Sequence, residues 1–131
     1  MGVAISLEKP DALMDVLDML KPRGRVYCCS EMSAPWAMSL PEDGYARFHV
    51  IERGGAWLKV EGARQVTPLA SGDLVIVPHG HGHVLADSPK TKSVPINRLV
   101  KGISDSAVML RHGGRGPKTL MICGSFQIVN S

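Results

Sequence analysis

The chain has 131 residues, enough for one domain with a buried core, and its net charge at pH 7 is only +3. No basic run concentrates this charge, and no apolar stretch approaches the roughly 20 residues of a membrane-spanning helix, so composition gives no indication of nucleic-acid or membrane binding. Three cysteines make no disulfide framework and no signal-peptide pattern opens the sequence, so we expect a cytoplasmic protein.

The first predicted element is a short amphipathic helix at about residues 10–20. Pro10 suits its first turn, and the segment KPRG at residues 21–24 ends it. The apolar positions that recur every three or four residues are Leu13, Val16, Leu17 and Leu20. This helix either covers its own domain or forms part of a dimer interface.

From Gly24 onward the pattern is typical of short β-strands separated by Gly, Pro or Asp turns. The predicted strands are RVYCCSEM, RFHVIERG, AWLKVEG, QVTPL, DLVIVP, HVLAD and TLMICGSFQIV. In AWLKVEG, alternation places Trp57, Lys59 and Glu61 on one face of the strand. Residues 88–118 form a weaker region with one short strand, AVML. We predict a single all-β domain over residues 1–131, an antiparallel sandwich or barrel.

The stretch GDLVIVPHGHGHVLAD at residues 72–87 contains three of the five histidines in the sequence. Its histidines are His79, His81 and His83. The spacing G-x5-P-x-G-x2-H-x3-D resembles the second conserved motif of the cupins, which are small β-barrels. Pro78 ends a strand because it has no N–H to donate, and the glycines allow the chain to reverse. His83 then begins the next strand, where it can face the barrel mouth.

The first cupin motif, usually HxHxxxxE, is matched here by GYARFHVIERGG with the single histidine His49. If Gly54 is the turn glycine, the usual carboxylate position falls near Arg47. This departs from the metal-binding pattern. His49 and Arg47 are two residues apart, so they share one face of the predicted strand and are expected to face the same interior.

The order of segments along the chain extends this resemblance. LMDVLDML, SEMSAPWAMSLP, FHVIERGGAWLKVEG, GDLVIVPHGHGHVLAD and LMICGSF follow one another, and together they resemble the N-terminal ligand-binding and dimerisation domain of AraC-type transcription regulators. The resemblance implies a small-molecule effector inside a cupin-like antiparallel double-stranded barrel (a jelly roll), a homodimer, and DNA contact only through a C-terminal helix-turn-helix domain that residues 1–131 lack. The chain is then either a piece of such a regulator or a stand-alone sensor.

Candidate site residues follow from these motifs. For the ligand they are His49, Trp57, His83 and Cys123. For a divalent transition metal (zinc, nickel or iron) they are His49, His83, His81 and Cys123. Simpler interpretations stay open: a hydrogen-bonded histidine at a strand end, a metal-collecting exposed turn, a cysteine of the core, and tryptophans that anchor packing.

Two classes of function remain open at this point. A stand-alone metal-binding cupin enzyme, of the oxygenase or isomerase type, needs a complete set of metal ligands, and the glutamate and one histidine of the first motif are missing. No serine has a base beside it in the sequence, so we assign no catalytic residue. The cations and glycines of RHGGRGPK at residues 111–118 suggest a solvated hairpin loop or an anion contact. We therefore predict a non-enzymatic sensor domain.

Overall fold

The computed structural model describes residues 3–6, 24–42, 44–77, 80–100 and 109–126. Side chains are described for all of these except 3–6, 24–28 and 126. The helix predicted at residues 10–20 lies outside the described residues, as do Pro78 and His79. Within the described residues, no helix is both long enough and apolar enough to span a membrane.

The described elements are short strands and one four-residue helix. They are β1 (Val3–Ser6), β2 (Gly24–Ser33), β3 (Ala37–Leu40), β4 (Ala46–Arg53), β5 (Gly55–Val60), β6 (Thr67–Ala70), β7 (Asp73–Val77), β8 (His83–Ala86), β9 (Val94–Pro95), α1 (Ile96–Leu99), β10 (Met109–Gly113) and β11 (Lys118–Phe126). Every strand predicted from the sequence has a counterpart here. The short strand predicted as AVML is seen as β10, which begins at Met109.

The strands form two sheets, which we call sheet 1 and sheet 2. Sheet 1 has the order β1-β7-β4-β11-β2-β10, and sheet 2 has the order β6-β5-β8-β3-β9. Most neighbours are antiparallel, which confirms the predicted all-β, cupin-like class. Two short pairings, β2 with β10 and β3 with β9, are parallel. β3 and β9 are parallel because both run antiparallel to β8. β9 pairs with β3 and not with β8, the strand that precedes it in the chain.

The core lies between the two sheets. Sheet 1 contributes Ile51, Val75 and Met121, and sheet 2 contributes Met38, Leu58 and Leu85, all at most 3% exposed. On β5 the side chains alternate as predicted: Leu58 and Val60 are buried, whereas Lys59 is exposed. Trp36, in the SAPW segment, is a core residue that is 1% exposed.

The RHGGRGPK segment runs from β10 into β11, and the connection between these strands is held against the SAPW segment. Backbone hydrogen bonds join Gly114 to Ser33 and Gly116 to Ala34, each at 2.8 Å. Two of its cations, Arg111 and Lys118, form ion pairs with Glu31, and the Lys118 hydrogen bond is the first cause that lowers the pKa of that carboxyl group. The expected hairpin is wrong, because β10 and β11 lie on opposite sides of β2 and do not pair with each other. Two of the cations of the segment have a carboxylate partner.

Candidate functional site

His49 lies at the centre of sheet 1 and is fully buried. It is on β4, the strand that runs between β7 and β11. Its neighbours along β4 from Ala46 to Ile51 are buried as well, because β4 is central in its sheet. Across the ladder, His49 is paired with Cys123 of β11 on one side and with Val75 of β7 on the other. His49 thus enters the core beside a cysteine that is 74 residues away in the sequence.

His83 reaches the same region from sheet 2. It is the first residue of β8, opposite Leu40 and Val60, and it is 3% exposed. Gly80 has φ +67°, a left-handed conformation that interrupts any extended run of the HGHGH segment. His81 is therefore not part of β8, which begins at His83. Its backbone carbonyl is the group that contacts the His83 ring.

Three hydrogen bonds join these residues into one chain, which we call the Cys–His–His chain. The Cys123 sulfur lies 2.9 Å from Nδ1 of His49. Nε2 of His49 lies 2.7 Å from Nε2 of His83, and Nδ1 of His83 lies 2.9 Å from the carbonyl oxygen of His81. The chain therefore begins on β11, crosses from sheet 1 to sheet 2, and ends at the segment before β8.

The carbonyl at one end determines where each proton lies. A carbonyl oxygen only accepts, so Nδ1 of His83 donates to His81, and a neutral His83 must then accept at Nε2. His49 supplies that proton from its own Nε2, which leaves its Nδ1 as the acceptor for the thiol S–H of Cys123. With neutral imidazoles the chain has this single proton arrangement.

Burial keeps both imidazoles neutral. Desolvation is the main cause that holds the pKa of His49 well below its ordinary value of 6.5, and the neighbouring His83 and Arg47 lower it further. Desolvation likewise lowers the pKa of His83 to about 4, although the hydrogen bond to the His81 carbonyl acts in the opposite direction. Arg47, which is 8% exposed, thus places its charge near both rings, as its strand position on β4 suggested.

The candidate metal ligands do not converge on one point. Cys123 is hydrogen-bonded to Nδ1 of His49, and His83 is hydrogen-bonded to Nε2 of the same ring. These two nitrogens lie on opposite sides of the ring, so their partners lie in different directions. A single ion held with His49 could therefore reach the thiol or His83, but not both. Among the described residues, no group of three or more His, Cys, Asp or Glu side chains is arranged to hold a metal. The described residues therefore do not fit the metal centre that the sequence suggested.

Trp57 is separated from the other three candidate ligand-binding residues. It lies opposite Ala86 on β8, on the face of β5 away from the core. There it lines a groove of about 170 Å³ on the outside of sheet 2. The groove is also lined by Lys59, Val66, Val84, Ala86 and the loop at residues 88–93. The alternation of AWLKVEG indicated this face correctly, but nothing in the sequence indicated a groove.

Comparison with known proteins agrees with this architecture. A family model described as Cupin matches residues 11–130. A protein of Streptomyces antibioticus, described as an AraC-like transcription regulator, is 26% identical to this chain over 120 residues. The match covers 88% of this chain and 37% of that relative, so the chain spans well under half of the relative's length. The chain therefore belongs to the cupin family, in the form found as the N-terminal domain of AraC-type regulators.

Proposed function

We propose that this chain is the ligand-sensing and dimerisation domain of an AraC-type transcription regulator, and that it binds a small organic effector between its two sheets. The observation that carries the proposal is the Cys–His–His chain. His49, His83 and Cys123 place polar groups inside a largely apolar core, and a few polar groups in apolar surroundings are what orients a bound ligand. Arg47 adds a buried cation beside them.

The geometry also suggests how an effector would act on the fold. Both nitrogens of His49 and both nitrogens of His83 already take part in hydrogen bonds. An effector that hydrogen-bonds to either ring must therefore displace one of these bonds. Because the His49–His83 bond joins sheet 1 to sheet 2, its displacement would loosen the contact between the sheets. Effector binding would then change how the sheets sit on each other, a difference that a regulator could transmit.

The regulatory role is favoured over the enzyme. An oxygenase or isomerase of the cupin type needs several ligands around one metal, and the described donors around His49 lie on opposite sides of its ring. The relative described as a regulator points the same way. As parts of the same proposal, the protein acts as a cytoplasmic homodimer and contacts DNA through a further domain, as the length of the relative suggests.

Thermal unfolding with a panel of sugars, organic acids and aromatic carboxylates tests the effector site. The proteins to compare are the wild type, His83→Gln and Trp57→Ala. His83→Gln alters the interior, whereas Trp57→Ala alters only the outer groove. We expect at least one compound to raise the melting temperature of the wild type and of Trp57→Ala but not that of His83→Gln. A compound whose effect disappears in Trp57→Ala and persists in His83→Gln would move the effector site to the groove.

A further inference from the structure

Two buried side-chain atoms beside the apolar core have no hydrogen-bond partner within the described part of the chain. They are Oγ of Ser30 and Nε1 of Trp36, and each of these residues is only 1% exposed. A buried polar group normally has a partner, because a group without one has lost its hydration and gained nothing in return. The ring nitrogens of His49 and His83, by contrast, are all engaged. Ser30 and Trp36 therefore keep hydrogen-bonding capacity that the Cys–His–His chain has already used.

Ser30 and Trp36 lie near the point where the chain passes from sheet 1 to sheet 2. Ser30 is on β2, between its register partners Leu110 on β10 and Met121 on β11. Both partners are core residues, so the Ser30 hydroxyl faces the core as well. Only residues 34–36 separate the end of β2 from the start of β3, and Trp36 is the last of them. The two polar atoms thus belong to opposite sides of the core, one on each sheet's side.

Methionines form much of the core around these two residues. Next to Ser30 are Met32, two residues along β2, and Met121, directly across on β11. Met38 stands two residues after Trp36, on β3. All three methionines are at most 1% exposed. Methionine is unbranched and flexible, and it adapts to differently shaped neighbours. This part of the core can therefore make room for a small molecule more easily than a core of branched side chains.

We propose that Ser30 and Trp36 form a second binding position in the core, which takes the carbonyl oxygen of a small uncharged organic molecule. An indole N–H only donates, so the ligand must accept a hydrogen bond from Trp36. The Ser30 hydroxyl can donate to the same atom, because a carbonyl oxygen has two lone pairs. A charged ligand is disfavoured, since it would exchange water for apolar neighbours. The position goes beyond the proposed effector site, because it uses neither His49 nor His83.

A ligand at this position would link the two sheets. It would hydrogen-bond to Ser30 on sheet 1 and to Trp36, which leads directly into β3 of sheet 2. This link is separate from the His49–His83 bond, which joins the sheets through β4 and β8. A carbonyl compound bound here would therefore strengthen the contact between the sheets without displacing any bond of the Cys–His–His chain.

Thermal unfolding of two hydroxyl-deletion variants tests whether the Ser30 hydroxyl is available. The matched control is Thr119, which is also buried but whose Oγ1 donates to the carbonyl of Gly55 at 2.7 Å. Ser30→Ala removes a hydroxyl that makes no bond within the described chain, so its melting temperature should equal or exceed that of the wild type. Thr119→Val should lower the melting temperature by roughly 3 °C or more. A Ser30→Ala variant that falls as far as Thr119→Val would show a hydroxyl already satisfied, for example by an ordered water, and would overturn the proposal.

Proton–nitrogen NMR with cyclohexanone as the probe tests binding at Trp36. The chain has two tryptophans, so it gives two indole N–H signals, and Trp57→Phe identifies which is which. We expect cyclohexanone to move the Trp36 indole proton downfield, because it supplies the missing acceptor. Cyclohexylammonium has the same ring but only donates, so it should leave the signal in place. Ser30→Ala should bind cyclohexanone about 10-fold more weakly, the factor expected for one lost hydrogen bond.

The same titration in His83→Gln separates this position from the proposed effector site. The Trp36 signal of a folded His83→Gln variant should still respond to cyclohexanone, because the probe does not use the histidines. If the effector panel fails while Trp36 responds, the effector site is lost and this position stands. A Trp36 signal that does not move at any concentration at which the protein stays folded would overturn the proposal. Equal affinity in the wild type and Ser30→Ala would also overturn it.

Discussion

Acidification from pH 7 to pH 5 should destabilise the folded protein through the buried imidazoles. An unfolded histidine binds its proton near pH 6.5, whereas burial holds the pKa of folded His83 at about 4. The contribution to stability is therefore complete above pH 6.5 and is lost as the pH falls from 6.5 through 4. Below pH 6.5, protonation of the unfolded histidine lowers the free energy of unfolding by about 1.4 kcal/mol per pH unit. Over the one and a half units down to pH 5, His83 alone should therefore lower the free energy of unfolding by about 2 kcal/mol. His49 acts in the same direction.

Urea unfolding at pH 7, 6 and 5 measures this loss. The comparison is between the wild type, His83→Gln and His112→Gln, the last of which removes a half-buried histidine of β10 outside the Cys–His–His chain. We expect the wild type and His112→Gln to lose similar free energies of unfolding on acidification, and His83→Gln to lose about 2 kcal/mol less. A wild type whose free energy of unfolding is the same at pH 7 and pH 5 would refute the assignment of neutral, buried imidazoles.

Four further predictions concern the fold and the proposed function. Gly113→Ala should lower the free energy of unfolding by roughly 2–4 kcal/mol, because Gly113 has φ +117° and an added Cβ would collide with the Ser33 backbone, whereas Gly44→Ala, with open space around it, should be nearly neutral. Metal analysis of protein purified without a histidine tag should find equal, sub-stoichiometric metal in the wild type and in His83→Ala; a full equivalent that the variant loses would restore the metal site. Light scattering at micromolar concentration should return about twice the chain mass of 14.1 kDa, and a monomer at all concentrations would remove the dimer. In a mobility-shift assay residues 1–131 should bind DNA only weakly and without sequence preference. A specific shift that resists salt would contradict the proposal that a further domain contacts DNA.

The strands could be predicted because the pattern that indicates each strand lies within a few consecutive residues. Alternation in AWLKVEG and the apolar run LVIV are properties of four to seven consecutive residues, and burial follows them on β5 and β7. The strands that were not predicted are β1, β3 and β9, of two to four residues each, and α1 is as short. Such segments are too brief to show a period, and they form because neighbouring strands supply their hydrogen bonds.

The site could be predicted only in part. The motif spacing identified His49 and His83 as candidates, and their strand positions were compatible with the interior. The order of bonds around His49 could not be predicted, because it depends on how β11 and β8 approach β4 from different sheets. For the same reason the sequence indicated a shared metal where the structure shows a linear hydrogen-bonded chain. Trp57 was grouped with these residues although the alternation of AWLKVEG places it on the face of β5 opposite to Leu58 and Val60.

The most direct test of the interior site is a nitrogen-detected NMR experiment that identifies the imidazole tautomers at pH 7. The hydrogen-bonded chain predicts that His49 is neutral with its proton on Nε2 and that His83 is neutral with its proton on Nδ1. Both resonances should be insensitive to pH between 7 and 6. An imidazolium at either position, or the opposite tautomer at His83, would mean that the Cys–His–His chain does not exist as described, and the proposed effector site would lose its basis.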